Sequence, residues 1–214
     1  MSDVVALMRE ARVIPVLTIR NQADAVPLAR ALVAGGVRML EVTLRTAAGR
    51  DAVRRIRDEV PEAVTGLGTV TNERHLELAR SLSLPFAFSP GAPVSLLRAA
   101  QALGVPFVPG IQTASELMAS IEHGFPVVKF FPAGPAGGIA ALKALAGPFP
   151  EALFCPTGGI GEAEIGEWLA LPNVVAVGGS WLAPATEIEG HAWERITERC
   201  RRVMGTLSGA TGTP

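Results

Sequence analysis

Lysine is nearly missing from this chain: two copies, Lys129 and Lys143, against 17 arginines in 214 residues. Cysteine is also scarce. Cys155 and Cys200 stand far apart without metal or redox spacing, which points to reduced thiols and a cytoplasmic protein. His75, His123 and His191 are solitary, and no His/Asp/Glu group has ligand spacing, so no metal is expected. No apolar run approaches the roughly 18 residues of a membrane span. The opening stretch MSDVVALMREARV is broken by charges and does not read as a signal peptide. The formal net charge is −1, with both signs spread along the chain, so neither nucleic acid nor an anionic membrane is an expected partner. The basic clusters Arg54, Arg55, Arg57 and Arg199, Arg201, Arg202 fall in helical patterns and read as solvated faces.

What is present is apolar: 49% hydrophobic residues and 18% charged, enough for one domain with a substantial core. Short β-branched runs recur about every 20 to 25 residues, each followed by an Ala/Leu/Arg/Glu-rich helical stretch. The strand candidates are RVIPVLTI from Arg12, RMLEVTLR from Arg38, AVTGLGTV from Ala63, PFAFSPG from Pro85, VPFVPG from Val105, VVKFFPA from Val127, LFCPTGGI from Leu153 and VVAVGGSWL from Val174. Asn21, Asn72 and Thr113 sit where helix N-caps belong, and Gly35-Gly36, Gly104 and Gly124 where helices end. Eight such units predict an α/β fold, a (β/α)8 TIM barrel. An open doubly wound sheet is the alternative, but no early Gly-x-Gly-x-x-Gly turn supports it. The expected divisions are a floor-plugging helix over 1–11, the barrel over 12–207 and a disordered tail over 208–214.

Lys129 interrupts the apolar run FPVVKFFPA. Burial strips hydration from an ammonium and favours the neutral amine, a nucleophile toward carbonyl carbon. Arginine stays protonated and cannot replace it there. The plainer alternatives are a lysine that snorkels to the strand end or pairs with a carboxylate. In a barrel, chemistry gathers where strands end. Glu41 and Arg45 are assigned to the second strand, four residues apart and on one side, Glu41 as proton carrier and Arg45 as a fork for a carboxylate. A structural ion pair of Glu41 with Arg45 or Lys129 is the plainer reading of that carboxylate. Thr69 ends the third strand and can add a hydrogen bond. Phe130 and Phe131 alternate, so only one can flank the amine. Thr157-Gly158-Gly159 closes the seventh strand and Gly178-Gly179-Ser180 the eighth. Glycines there, each before a helical pattern, suit backbone amides that approach a phosphate.

The motifs EVTLRT, GLGTV, FSPG, VPG followed by TASE, VKFFPA, PTGGI and GGSWL, in this order from Arg12 to Pro184, resemble those of the class I 2-keto-3-deoxy-6-phosphogluconate (KDPG) aldolases, which also act as 4-hydroxy-2-oxoglutarate (KHG) aldolases. The resemblance implies a Schiff base on Lys129, with Glu41 moving protons and Arg45 and Thr69 holding the pyruvoyl carboxylate. It implies that Phe131 lies near the substrate and that Thr157, Gly158, Gly159, Gly179 and Ser180 rim the phosphate. It further implies a homotrimer with no metal or organic cofactor, acting on a phosphorylated keto acid and releasing pyruvate. Gly134 departs from the acidic residue common after FFPA, and Arg20 is a further candidate for the phosphate. Alternatives are a 2-keto-3-deoxy-6-phosphogalactonate aldolase, a phosphosugar isomerase or epimerase on the same barrel, and a non-catalytic sugar-phosphate binder.

Overall fold

A computed structural model describes residues 2–209. Helix α1 (Ser2–Ala11) precedes β1 (Val13–Leu17), after which strands and helices alternate. The order is α2 (Ala25–Ala34), β2 (Met39–Thr43), α3 (Gly49–Glu59), β3 (Val64–Gly68), α4 (Glu73–Ser81), β4 (Ala87–Phe88) and α5 (Val94–Leu103). Then come β5 (Phe107–Val108), β6 (Gly110–Ile111), α6 (Ala114–Glu122), β7 (Val127–Phe130), α7 (Gly138–Ala146) and β8 (Leu153–Phe154). The chain continues through α8 (Ile165–Leu169), β9 (Val177–Gly179), α9 (Ala185–Glu189) and α10 (Trp193–Gly209).

All paired strands are parallel, in a six-stranded order β5-β4-β3-β2-β1-β9 and a three-stranded order β6-β7-β8. The sheet is curled and clothed by helices. The expected fifth strand is split into β5 and β6 at Pro109, whose ring nitrogen has no hydrogen to donate to a ladder. Helix α10 runs to Gly209, so 208 and 209 are helical and not tail; residues 210–214 lie outside the described residues.

The anticipated caps explain where helices begin. Asn72 Oδ1 accepts from His75 N at 3.1 Å at the start of α4, and Thr113 and Glu116 form a reciprocal capping box on α6. Asn21 caps a short 3-10 turn over Gln22–Asp24 that leads into α2.

Two-residue alternation sorts the strand residues into two cores. Val13, Leu40, Val42, Val128 and Phe130 belong to the layer shared with the helices. Ile14, Met39, Phe86, Phe88, Val108, Val127 and Cys155 form an inner cluster, closed from below by Val4 and Met8 of α1. Glu41 follows Met39 by two and Lys129 follows Val127 by two, so both inherit the inner direction.

Candidate active site

β2 and β7 are not neighbours in either sheet, yet Glu41 and Lys129 meet across the interior. Lys129 Nζ donates to Glu41 Oε1 at 2.8 Å and lies 2.9 Å from Oε2. Lys129 is 3% exposed and Glu41 1%. These are charge-assisted distances in a dry setting, where a carboxylate without its partner would be costly. The amine is therefore not alone in an apolar strand. It faces the acid that can receive its proton.

The room for this contact is built into the neighbouring strand. A side chain at Gly68 would collide with Glu41 Oε1 and come within 2.6 Å of Glu41 Cγ, so only glycine lets the carboxylate lie along β3. Aromatic rings wall the amine: Nζ is 5.4 Å from the Phe88 centroid and 5.7 Å from that of Phe131. Phe130 points the other way, into the helix-facing core, as strand alternation requires.

Cys155 and Thr157 enter the same interior from the chain at and beyond β8. The Cys155 sulfur lies 4.0 Å from Thr157 Oγ1. Burial pushes the Cys155 thiol up to about 12, against the opposing pull of the Lys129 charge. That thiol stays protonated at neutral pH and is no rival nucleophile. Lys143, the other lysine, is exposed on α7.

Arg45 is not where strand periodicity puts it. β2 ends at Thr43, whose hydroxyl donates to Leu17 O at 2.8 Å, and Arg45 stands exposed on the following turn. The Thr46 hydroxyl donates to Ile19 O and pins this turn to the end of β1. Arg45 is thus at the strand-end face, carried by a turn. Thr69 is the first residue past β3, half-buried, with φ of +61°, a conformation a β-branched residue rarely adopts.

The glycine turns lie at the same ends. Gly158 and Gly159 have φ of +90° and +73°, which L side chains resist. Thr157 N donates to Phe130 O at 3.0 Å, so the turn is hung from the strand carrying Lys129. The parallel bridge Thr157–Gly178 turns the Gly158 N–H toward β9, whereas among the described residues Gly159 N donates to no protein acceptor. Gly179 ends β9 and exposed Ser180 begins a short 3-10 turn, Ser180–Leu182. The helices anticipated after these turns are shorter than expected: α8 has five residues, preceded by a 3-10 turn over Glu162–Glu164. An anion there would meet amide N–H groups directly, with little help from a helix dipole. Arg20 Nε lies 3.2 Å from Glu189 Oε1, both side chains exposed.

Phe88, Gly68 and Cys155 are the parts of the interior that sequence reasoning passed over. Phe88 was legible in principle, because the alternating pair Phe86 and Phe88 in FAF directs both rings inward. Among the described residues there is no metal-binding group of three or more His, Cys, Asp or Glu, and no helix is long and apolar enough to cross a membrane.

Residues 4–199 match the family described as KDPG and KHG aldolase. A 2-dehydro-3-deoxy-phosphogluconate aldolase from Pseudoalteromonas atlantica is 49% identical over 197 residues, 92% of each chain. A KDPG aldolase structure from Legionella pneumophila, with pyruvate captured as a covalent carbinolamine, superposes with a TM-score of 0.90 at 44% identity, covering 93% of this chain and 97% of that one. The KDPG aldolase of Zymomonas mobilis, in complex with 3-phosphoglycerate, gives a TM-score of 0.88 at 41% identity over 95% of both chains.

Proposed function

This chain belongs to the KDPG and KHG aldolase family, and from that premise we propose that it cleaves KDPG reversibly to pyruvate and glyceraldehyde 3-phosphate through a Schiff base on Lys129. One observation carries the reading: a buried lysine amine 2.8 Å from a buried carboxylate in the interior of a curled parallel sheet. KHG, cleaved to pyruvate and glyoxylate, is a second substrate of the same amine.

Glu41 takes a proton from Lys129, and the free amine attacks C2 of the keto acid. The carbinolamine loses water as Glu41 returns a proton to the departing hydroxyl. The protonated imine draws in the electron pair of the C3–C4 bond. Glu41, directly or through water, removes the C4 hydroxyl proton as the aldehyde leaves. The enamine is then protonated at C3, and water releases pyruvate and regenerates the amine. Phe88 and Phe131 keep the reacting carbons dry, which strengthens each of these charge interactions.

The remaining residues hold the substrate's two ends. Thr69 and Arg45 take the carboxylate side. Thr157, Gly158, Gly159, Gly179 and Ser180 take the phosphate, a reading supported by the Gly159 amide, which has no protein acceptor among the described residues. The bound 3-phosphoglycerate of the Zymomonas enzyme supports a phosphorylated ligand here. Fixing both ends holds the C3–C4 bond in place over the acid.

The sheet closes into a (β/α)8 barrel. Supporting this, Lys129 N reaches Pro109 O at 2.8 Å across the β5–β6 break, and isolated bridges Phe154–Val174 and Thr157–Gly178 join the β8 and β9 segments. The molecule is a homotrimer; Val94 on α5 and Met118 and Ile121 on α6 are large apolar side chains left exposed, Met118 at 57%. Two free buried thiols suit a cytoplasmic setting.

The test is pyruvate release, coupled to NADH oxidation by lactate dehydrogenase, with KDPG, its C4 epimer and KHG. Strong preference for KDPG is the expected result. Epimer interconversion or isomerisation without pyruvate would favour a phosphosugar epimerase or isomerase, and no turnover would favour a binder.

A further inference from the structure

Backbone pairing between β1 and β2 ends at Val16–Glu41 and Leu17–Val42, yet the two segments stay joined beyond it. Threonine hydroxyls take over from the ladder. Thr43 Oγ1 donates to Leu17 O at 2.8 Å, and Thr46 Oγ1 donates to Ile19 O, two residues further along. On the other flank, Leu44 N donates to Gly68 O at 3.0 Å, at the end of β3. The turn is also closed on itself, with Gly49 N donating to Thr46 O at 3.2 Å. A Cβ on Gly49 would collide with the Thr43 carbonyl oxygen, so α3 starts hard against the end of β2.

Arg45 is bracketed by these bonds. The residue before it is tied to the end of β3, and the residue after it to the chain beyond β1. Its own side chain is exposed and, among the described residues, makes no hydrogen bond or ion pair. An unpaired arginine has many rotamers, so its direction rests on where the backbone holds Cα and Cβ. The Leu44–Gly68 bond also couples this turn to Thr69, the first residue past β3. The Thr69 hydroxyl likewise has no protein partner among the described residues. Two unpaired donors on adjoining strand ends thus share one hydrogen-bonded frame.

We propose that Thr46 is a positioning residue for substrate binding: its hydroxyl holds the β2–α3 turn so that Arg45 meets the carboxylate beside the reacting keto carbon. The inference rests on the aldolase reading and deepens its account of the carboxylate end. Without the hydroxyl the turn loses its anchor on Ile19, and the guanidinium must be ordered at the moment of binding. Thr46 itself bonds to neither Lys129 nor Glu41.

The experiment measures kcat/KM for KDPG and KHG in wild type, Thr46→Val, Thr46→Ser, Arg45→Ala and the double variant of Arg45→Ala with Thr46→Val. Pyruvate binding is read beside it by calorimetry. Valine keeps the shape and loses the hydroxyl; Thr46→Ala takes its place if Thr46→Val does not fold. Thr46→Val is expected to lower kcat/KM for both substrates by about three- to tenfold, since both carry the same carboxylate. Thr46→Ser stays within about twofold of wild type, because it restores the donor. Arg45→Ala loses about tenfold or more, and on that background Thr46→Val adds no more than about twofold. The proposal is overturned by no loss in Thr46→Val, by a loss confined to one substrate, by a serine variant as impaired as the valine one, or by a full loss that persists without Arg45. Wild type that releases pyruvate from neither substrate defeats the aldolase reading instead. Pyruvate affinity then decides alone: weakened by Thr46→Val only where Arg45 is present, it upholds the positioning role, and unchanged or absent, it overturns it.

Discussion

The amine end and the anion end of this site are built from opposite materials. Lys129 and Glu41 are side chains almost sealed from water, locked to each other and walled by Phe88 and Phe131. Gly158 and Gly159 present backbone on a more open turn, and exposed Ser180 adds a hydroxyl. Bond making needs a group whose proton can be exchanged in a low-dielectric interior. Recognition of an anion needs only donors in fixed places that admit ligand from solvent. One half therefore depends on burial, the other on backbone conformation.

The difference can be broken first at the amine. Lys129→Ala should lower kcat for KDPG and KHG alike by at least about 10⁴-fold, the scale of losing a covalent nucleophile. It also leaves Glu41 buried without its partner, so melting should fall unless the carboxylate takes up a proton. Adding Glu41→Gln to Lys129→Met should recover stability but no turnover. Stability unchanged in Lys129→Ala would show that the acid is either hydrated or protonated once the amine is gone.

Glu41→Gln alone should slow turnover of both substrates by about 10²- to 10⁴-fold, the usual weight of general acid–base catalysis. A loss confined to KDPG would shift the acid's role to the phosphate side. Ser180→Ala belongs to the other half. It should raise KM for KDPG about three- to tenfold, the usual net worth of one hydrogen bond at an exposed hydroxyl, and leave KHG alone.

The smallest effect lies outside both ends and calibrates them. Arg199 donates to both oxygens of Glu187 at 2.7 Å, and this bond holds the Glu187 carboxyl below the usual carboxylate range. A depressed folded-state value adds stability above the unfolded carboxylate pKa, and that stability is lost as pH falls through the folded value. Glu187→Gln should therefore lower Tm by about 2–4 °C at neutral pH and by less as the solution is acidified below the ordinary carboxylate range. Thermal melts across that range, with KDPG turnover unchanged at neutral pH, check the sign.

The same division explains what could be read from sequence. Lys129 and Glu41 announce themselves because a charge in an apolar strand is anomalous, and two-residue parity from Val127 and Met39 sends both inward. Parity then fails at Arg45, because β2 stops at Thr43 and the chain turns, an event set by the Thr43 and Thr46 hydroxyls on the carbonyls of Leu17 and Ile19. The split at Pro109 was written in the sequence and read as a strand end rather than a break within one. Gly68 carries no local mark of its role. Its need for no side chain comes from Glu41, 27 residues earlier in sequence, leaning across from the next strand. The glycine turns were legible as candidates, but the bonds of the Gly158 turn to Ala133 and Gly134 are a tertiary fact.

Sodium borohydride with pyruvate, followed by peptide mass mapping, addresses the central claim most directly. The account predicts one reduced pyruvyl adduct, on Lys129, formed only when pyruvate is present. An adduct on exposed Lys143 with Lys129 unmodified, or no adduct in a protein that releases pyruvate from KDPG, would contradict it.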